Sequence, residues 1–397
     1  MNRDDFLMLK KDIIYFDNGA TTLKPYFLAQ EISKYYNEYS ANAHRGDYKI
    51  SLQVDNKFEE TRKLVKEFIN AKSEKEIVFT SGTTDSLNKI IFGYFKYNLN
   101  KGDEVIITKS EHASIVLPWF ELAEELDLVI KYIELDEDFN ITLDNLKNIV
   151  TDKTKVISIA EITNVAGDIR NIKEITSYAH SKNIKVLVDG AQSVAHKKTD
   201  VQNLDIDFLA FSAHKMYGPT GVGVLYGKEE LLNNIRPIIF GGGMNASFIS
   251  DGVRVYDDIP YLLEAGTQNI AGVIGFGSVL KYLNSIGMDK IYEYELELKK
   301  YAIKRLKEIK DIMIYNENSE SGIITFNIKD IFAQDLAIYL DKYNICVRAG
   351  NHCAKIFKEE LGIKNTCRIS LAFYNTKEEI DRLVEVLKNP KIKEEII

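Results

Sequence analysis

Residues 207–227 read DFLAFSAHKMYGPTGVGVLYG, two apolar runs, DFLAFSA (207–213) and GVGVLYG (221–227), joined by a turn rich in Gly and Pro. Lys215 stands just past the end of the first run. Lysine is almost never fully buried without a partner, so a solvated turn lysine is the ordinary expectation. An apolar strand leading into an amine does something else: desolvation lowers the amine pKa from about 10.4 and makes it a usable nucleophile near neutrality.

Outward from this stretch the chain alternates strand and helix patterns. Apolar runs at EIVFT, DEVIIT (103–108), LVIKYIEL (128–135), TKVISIA (154–160) and IKVLVD (184–189) are separated by segments with apolar residues three and four apart, such as DNKFEETRKLVKEFIN and IKEITSYAHSKN. Strands alternating with crossover helices imply an α/β fold whose mainly parallel sheet is covered on both faces, with ligands bound beyond the carboxyl ends of its strands. After about residue 285 a charged helix (288–310) leads into GIITFNI, FAQDLAIYLDKYN, ICVRA, CRISLAF and a last helix, a pattern suited to a smaller α+β domain. The expected division is a large domain over 15–285 and a small one from 1–14 and 286–397. No linker of Pro, Gly and Ser separates them, so they should share an interface and enclose a site.

Composition narrows the function. With 397 residues, 45% hydrophobic, the chain can build a sizeable core. A formal charge of -8, from 59 acidic and 51 basic side chains, speaks against a nucleic-acid binder. The opening MNRDDFLMLKKDIIYFD has neither a signal-peptide core nor a membrane-spanning length, which makes cytoplasm the expected location and a membrane an unexpected partner. Cys346, Cys353 and Cys367 form no C-x-x-C, so neither a structural metal nor a disulfide framework is expected.

Five strand ends finish on polar residues: SGTTD, KSEH, EITN, DGAQS and SAHK. Polar groups gathered at one edge of a buried sheet are costly unless they bind something. SGTTDSLN (81–88) opens a helix, whose free N–H groups and dipole make an anion site with the Thr83 and Thr84 hydroxyls as further donors; a plain helix cap would use the same residue types. Asp189 at the end of KVLVD fits a turn aspartate, or a carboxylate facing a cationic ring nitrogen. Pyridoxal 5′-phosphate needs an imine-forming lysine, a carboxylate on its pyridine nitrogen, a phosphate cradle and a flat group over its ring. Lys215, Asp189, the SGTT turn and His112 could supply these in that order.

These residues sit in a run of stretches that resembles the class V branch of fold-type I pyridoxal-phosphate enzymes, and within it the SUF-type (group II) cysteine desulfurases and selenocysteine lyases. The stretches are YFDNGATTLKP (15–25), AHRGDYKIS (43–51), FTSGTTDSLN (79–88), EHASIVLPW (111–119), ITNVAGDI (162–169), VDGAQSVAH (188–196), FSAHKMYGPTGVGVLY (211–226), EAGTQN (264–269), RAGNHCA (348–354) and CRISLAFYN (367–375). The resemblance implies a large pyridoxal-phosphate-binding α/β domain with a smaller α+β domain. It implies Lys215 as the Schiff-base lysine, Asp189 as the pyridinium partner and His112 as the stacking ring. Thr83, Thr84, Ser212 and His214 become phosphate ligands, Gln192 the partner of the cofactor's 3′-oxygen, and Thr267 a phosphate ligand donated by the neighbouring subunit of a homodimer.

On the substrate side the resemblance implies Arg368 as the carboxylate clamp assisted by Asn164, with Arg348, His44 and Ala20 also at the substrate. Cys353 becomes the thiolate that takes sulfur from L-cysteine, leaving L-alanine and a persulfide for a sulfur-acceptor protein in iron–sulfur cluster assembly or another sulfur-transfer pathway. Arg348 and His352 are expected to favour its ionisation. Where these enzymes commonly carry two histidines before the cysteine, this chain has Asn351 and His352. A selenocysteine lyase, another class V aminotransferase or lyase, and a non-catalytic pyridoxal-phosphate-binding scaffold are the alternatives. Another class V aminotransferase or lyase would share Lys215 and Asp189 but not need Cys353.

Overall fold

The computed structural model describes residues 2–44, 46–389 and 392–395; Arg45 of the AHRG stretch and the chain ends lie outside them. A seven-stranded sheet runs in the order Ile77–Thr80, Gly223–Gly227, Phe208–Ser212, Lys185–Asp189, Thr154–Ala160, Glu104–Ile107, Val129–Tyr132. All pairings are parallel except those of Gly223–Gly227, which is antiparallel to both neighbours. The two runs of 207–227 are thus adjacent strands, and the lysine turn is the connection between them.

Alternation along the strands explains why both faces are covered. Val186 and Val188 enter one apolar cluster while Leu187 enters the other; Ile157 and Ile159 oppose Val156 in the same way, as do Leu209 and Phe211 against Phe208 and Ala210. A period of two with apolar residues in both phases gives a sheet that must be sandwiched between helices. The helices Lys49–Phe68 and Ile270–Ile286 pack together on the first face, and Ala113–Leu126 closes the second with Trp119 fully buried.

A separate four-stranded antiparallel sheet runs Ile312–Tyr315, Ile323–Ile328, Thr366–Ser370, Arg348–Gly350, backed by Met288–Leu306 and Lys377–Leu387 around a third apolar cluster. Ile312–Tyr315 is absent from the runs recognised in the sequence; its four residues sit at a sheet edge, only partly buried, and carry too little pattern to stand out. The N-terminal segment is stitched to this smaller unit: Ile14–Tyr15 pairs in parallel with Ile345–Cys346, and Asp17 bridges to Ser370. From there the DNGATTLK segment crosses to the lysine turn.

Candidate active site

The lysine turn is held from beneath by that crossing segment. The His214 carbonyl accepts from Thr22 N at 3.2 Å and from Lys24 Nζ at 2.6 Å, and Thr22 Oγ1 accepts from Tyr217 N at 2.7 Å. Burial pushes the Lys24 amine down to about 7. Tyr217 takes a positive φ of 65° to turn the chain back under Ala213, where Gly218 N donates to the Ala213 carbonyl at 2.9 Å. Lys215 is therefore aimed by a rigid turn.

Lys215 borders a cavity of about 270 Å³ together with Ala20, Thr83, Thr84, His112, Asn164, Asp189, Gln192, Ser212, His214, Arg348, Cys353 and Arg368. The structure thus brings together thirteen of the fifteen site residues expected from the sequence. Lys215 keeps some surface because it opens onto the cavity, yet the surrounding protein desolvates its amine and lowers its pKa. Burial raises the Asp189 pKa, with Lys215 opposing that rise; Asp189 Oδ1 accepts from Ala191 N at 2.8 Å. A buried carboxyl and a buried amine on one cavity both await charged partners.

At the opposite end, Ser212 Oγ lies 2.7 Å from both Thr83 N and Thr83 Oγ1, and Thr84 Oγ1 lies 2.8 Å from Ser114 Oγ. These groups gather at the start of helix Thr83–Ile90, where free N–H groups favour an anion. The helix end can come this close to the sheet because Gly223 lacks a side chain: a Cβ there would stand 2.4 Å from Gly82 Cα. Gln192 Nε2 donates to the Gly19 carbonyl at 2.8 Å.

His112 is the N-cap of Ala113–Leu126, its Nδ1 accepting from Ser114 N at 3.1 Å, so the neutral ring carries its proton on Nε2. Burial, then Lys215 and the two arginines, push its pKa down to about 4. His214 is also pushed down to about 4, by burial and then by Lys215 and Lys24. Both rings are neutral at pH 7. The neighbouring Glu111 anchors the loop: it pairs with Arg170, accepts from Ala160 N at 2.8 Å, and Arg170 Nε in turn reaches Asp168 at 3.2 Å, all three fully buried. This triad ties the strand ends that carry His112 and Asn164.

Arg368 is buried, with Nη1 donating to the Asn164 carbonyl at 2.8 Å and Nη2 to Asp17 Oδ1 at 3.2 Å. Its Nε is buried with no protein partner. Arg348, on the exposed side, donates to Asp17 Oδ2 at 3.4 Å. Asp17 is a member of the site that the sequence reasoning missed.

Cys353 is exposed and follows His352, both at positive φ (57° and 52°). The loop is pinned by Asn164 Nδ2 on the His352 carbonyl at 2.6 Å and by Ala113 N on the Cys353 carbonyl at 2.8 Å. Cys353 thus borders the cavity and also reaches the surface.

The expectations for His352 and His44 change. His352 is buried against Thr366, and burial followed by the charge of Arg368 pushes its pKa down to about 2, so it is neutral and gives Cys353 no positive charge. Asn164 borders the cavity and gives one Nδ2–H to the His352 carbonyl, so it also props the Cys353 loop while its second N–H stays available. His44 lies outside the cavity, 3.2 Å from Glu59, because its turn packs on helix Lys49–Phe68. Thr267 borders a second cavity with Ser81, Asp85 and Lys89 and not Lys215's, a position compatible with the expectation that it serves the neighbouring subunit.

The sheet order, the lysine turn and the strand-end cluster define the fold-type I class of pyridoxal-phosphate-dependent transferases. The aminotransferase class-V family model matches residues 14–383, and the chain belongs to that family. A curated relative from Halalkalibacterium halodurans, a probable cysteine desulfurase, is 40% identical over 96% of this chain and 93% of its own. Among solved structures, the apo cysteine desulfurase of Thermococcus onnurineus is similar with a TM-score of 0.93 and 36% identity, covering 97% of this chain and 96% of that one. The cysteine desulfurase CsdA of Escherichia coli, solved in an S-sulfonic acid form, gives a TM-score of 0.92 and 33% identity, covering 100% and 98%.

Proposed function

We propose that the protein is a pyridoxal-phosphate-dependent cysteine desulfurase that converts L-cysteine to L-alanine and keeps the sulfur on Cys353. The observation that carries this reading is one cavity bordered by a desolvated lysine, a buried guanidinium with an unused N–H, and an exposed cysteine. The residues fit pyridoxal phosphate: Lys215 for its aldehyde, Asp189 for its ring nitrogen, His112 for its face, and Thr83, Thr84, Ser212 and His214 for its phosphate. When bound, the cofactor supplies an electron sink that makes the substrate Cα–H acidic.

The chain's own residues do the rest. The Arg368 guanidinium, on the cavity lining, holds the substrate carboxylate, which orients the amino group toward Lys215 and the thiol toward Cys353. Lys215 Nζ takes the Cα proton, a task for which burial has already lowered its pKa. Cys353 Sγ, as thiolate, forms an S–S bond to the substrate sulfur while the Cβ–S bond breaks and its electron pair returns to the carbon skeleton; protonation there yields alanine. Exposure of Cys353 leaves the persulfide within reach of a sulfur-acceptor protein, for iron–sulfur cluster assembly or another sulfur-transfer pathway.

The working form is proposed to be a homodimer. Its support is an apolar hairpin, Asn245–Phe248 with Arg254–Tyr256, that leaves Phe248, Ile249, Val253 and Val255 exposed, together with the position of Thr267 outside its own cavity. The proposed location is the cytoplasm, where free Cys346, Cys353 and Cys367 stay reduced. The test is addition of L-cysteine to the purified holoenzyme while cofactor absorbance, alanine and sulfide are recorded. Alanine formation that needs Cys353 supports the reading; unchanged sulfide release by Cys353→Ala sinks it.

A further inference from the structure

Asp17 has no part in that scheme, yet its two carboxylate oxygens take one arginine each: Oδ1 lies 3.2 Å from Arg368 Nη2 and Oδ2 lies 3.4 Å from Arg348 Nη1. It does not border the cavity, so it stands behind both guanidiniums. Its backbone is bolted to the strand that carries Arg368. Asp17 bridges to Ser370, Asn18 Nδ2 donates to the Ser370 carbonyl at 2.7 Å, and Gly19 N donates to Ser370 Oγ at 2.6 Å. Asp17 therefore stays in place when a substrate enters.

Two effects of this carboxylate oppose each other: it orients the arginines, and it repels a second carboxylate arriving on Arg368. Orientation is over-determined for Arg368, which is also held by the Asn164 carbonyl, by its burial and by Gly19, where an added Cβ would stand 3.2 Å from Arg368 Cζ. Repulsion acts against the attraction of Arg348 and Lys215 on the same cavity, and across a buried arginine little water screens it. The charge effect wins.

We propose that Asp17 is a positioning residue that acts as a built-in counter-anion, lowering the charge of the carboxylate site from two cations to a net of one and so keeping the amino-acid product weakly held. The inference rests on the desulfurase reading for its purpose, but its test does not need turnover. Binding of L-alanine and of ethylamine, the same molecule without its carboxylate, is measured on the holoenzyme through cofactor absorbance. Asp17→Asn keeps the shape and a hydrogen-bond acceptor and removes the charge. It should tighten alanine about tenfold, the factor equivalent to about 1.4 kcal/mol, and leave ethylamine unchanged.

Asp17→Ala, which also removes the hydrogen bonds, should tighten alanine in the same direction. Only folded, cofactor-loaded protein gives the signal, so loss of fold cannot imitate either result. Weaker alanine binding in both variants, or equal changes for alanine and ethylamine, would overturn the proposal. A wild-type holoenzyme that makes no alanine from cysteine would refute the desulfurase reading and leave the alanine-to-ethylamine comparison intact.

Discussion

At the residue scale, the site rests on groups whose pKa values burial shifts toward the neutral form. Lys215→Ala should abolish alanine formation from cysteine, and its spectrum should lack the imine absorbance of the wild type. The buried histidines carry a pH consequence. His112 and His214 at about 4 and His352 at about 2 lie below the unfolded value of about 6.5, so the unfolded chain binds more protons in the interval between them. The stability they contribute is complete above pH 6.5 and is lost as pH falls from there toward the folded values. Thermal unfolding midpoints should therefore drop between pH 7 and pH 5, and His352→Gln should flatten that dependence. That Lys215 and Asp189 border one cavity was legible because each follows an apolar strand, where a polar residue asks for a reason. Asp17 was not, because an aspartate before Asn-Gly reads as an ordinary turn residue, and its partners lie 331 and 351 residues away. The neutrality of His352 was equally hidden: sequence places it beside the cysteine but not beneath Thr366.

At the scale of elements, strand ends are positioned by buried polar struts and by close backbone approach. The triad of Glu111, Arg170 and Asp168 fixes the loops after Glu104–Ile107 and Thr154–Ala160. Glu111→Gln leaves a buried guanidinium with one anionic partner fewer and should cost about 3–5 kcal/mol in denaturant unfolding. At the phosphate end, Gly223→Ala would drive a Cβ to 2.4 Å from Gly82 Cα and push the Thr83–Ile90 helix start off the sheet. Its expected result is a weakened grip on pyridoxal phosphate in equilibrium dialysis, with the apolar sheet otherwise intact. The strands of the large sheet were readable because they are apolar in both phases; Ile312–Tyr315, a four-residue edge, was too short and too exposed to be read.

At the scale of the whole molecule, the cavity exists because two sheets from distant parts of the chain face each other. One supplies Lys215, Asp189 and the proposed phosphate cradle, the other Arg368 and, through the loop before it, Cys353. The exposed hairpin belongs to this scale too: charged substitution of Phe248, 73% exposed, should convert the proposed dimer to monomers in sedimentation. The central claim is that Cys353 takes sulfur from cysteine. It is tested most directly by mixing the holoenzyme with a limiting amount of L-cysteine in the absence of reductant, alkylating, and weighing the Cys353 peptide alongside the alanine released. The account predicts one added sulfur atom on Cys353 for each alanine formed. Alanine formation with sulfide free in solution and Cys353 unmodified would contradict it.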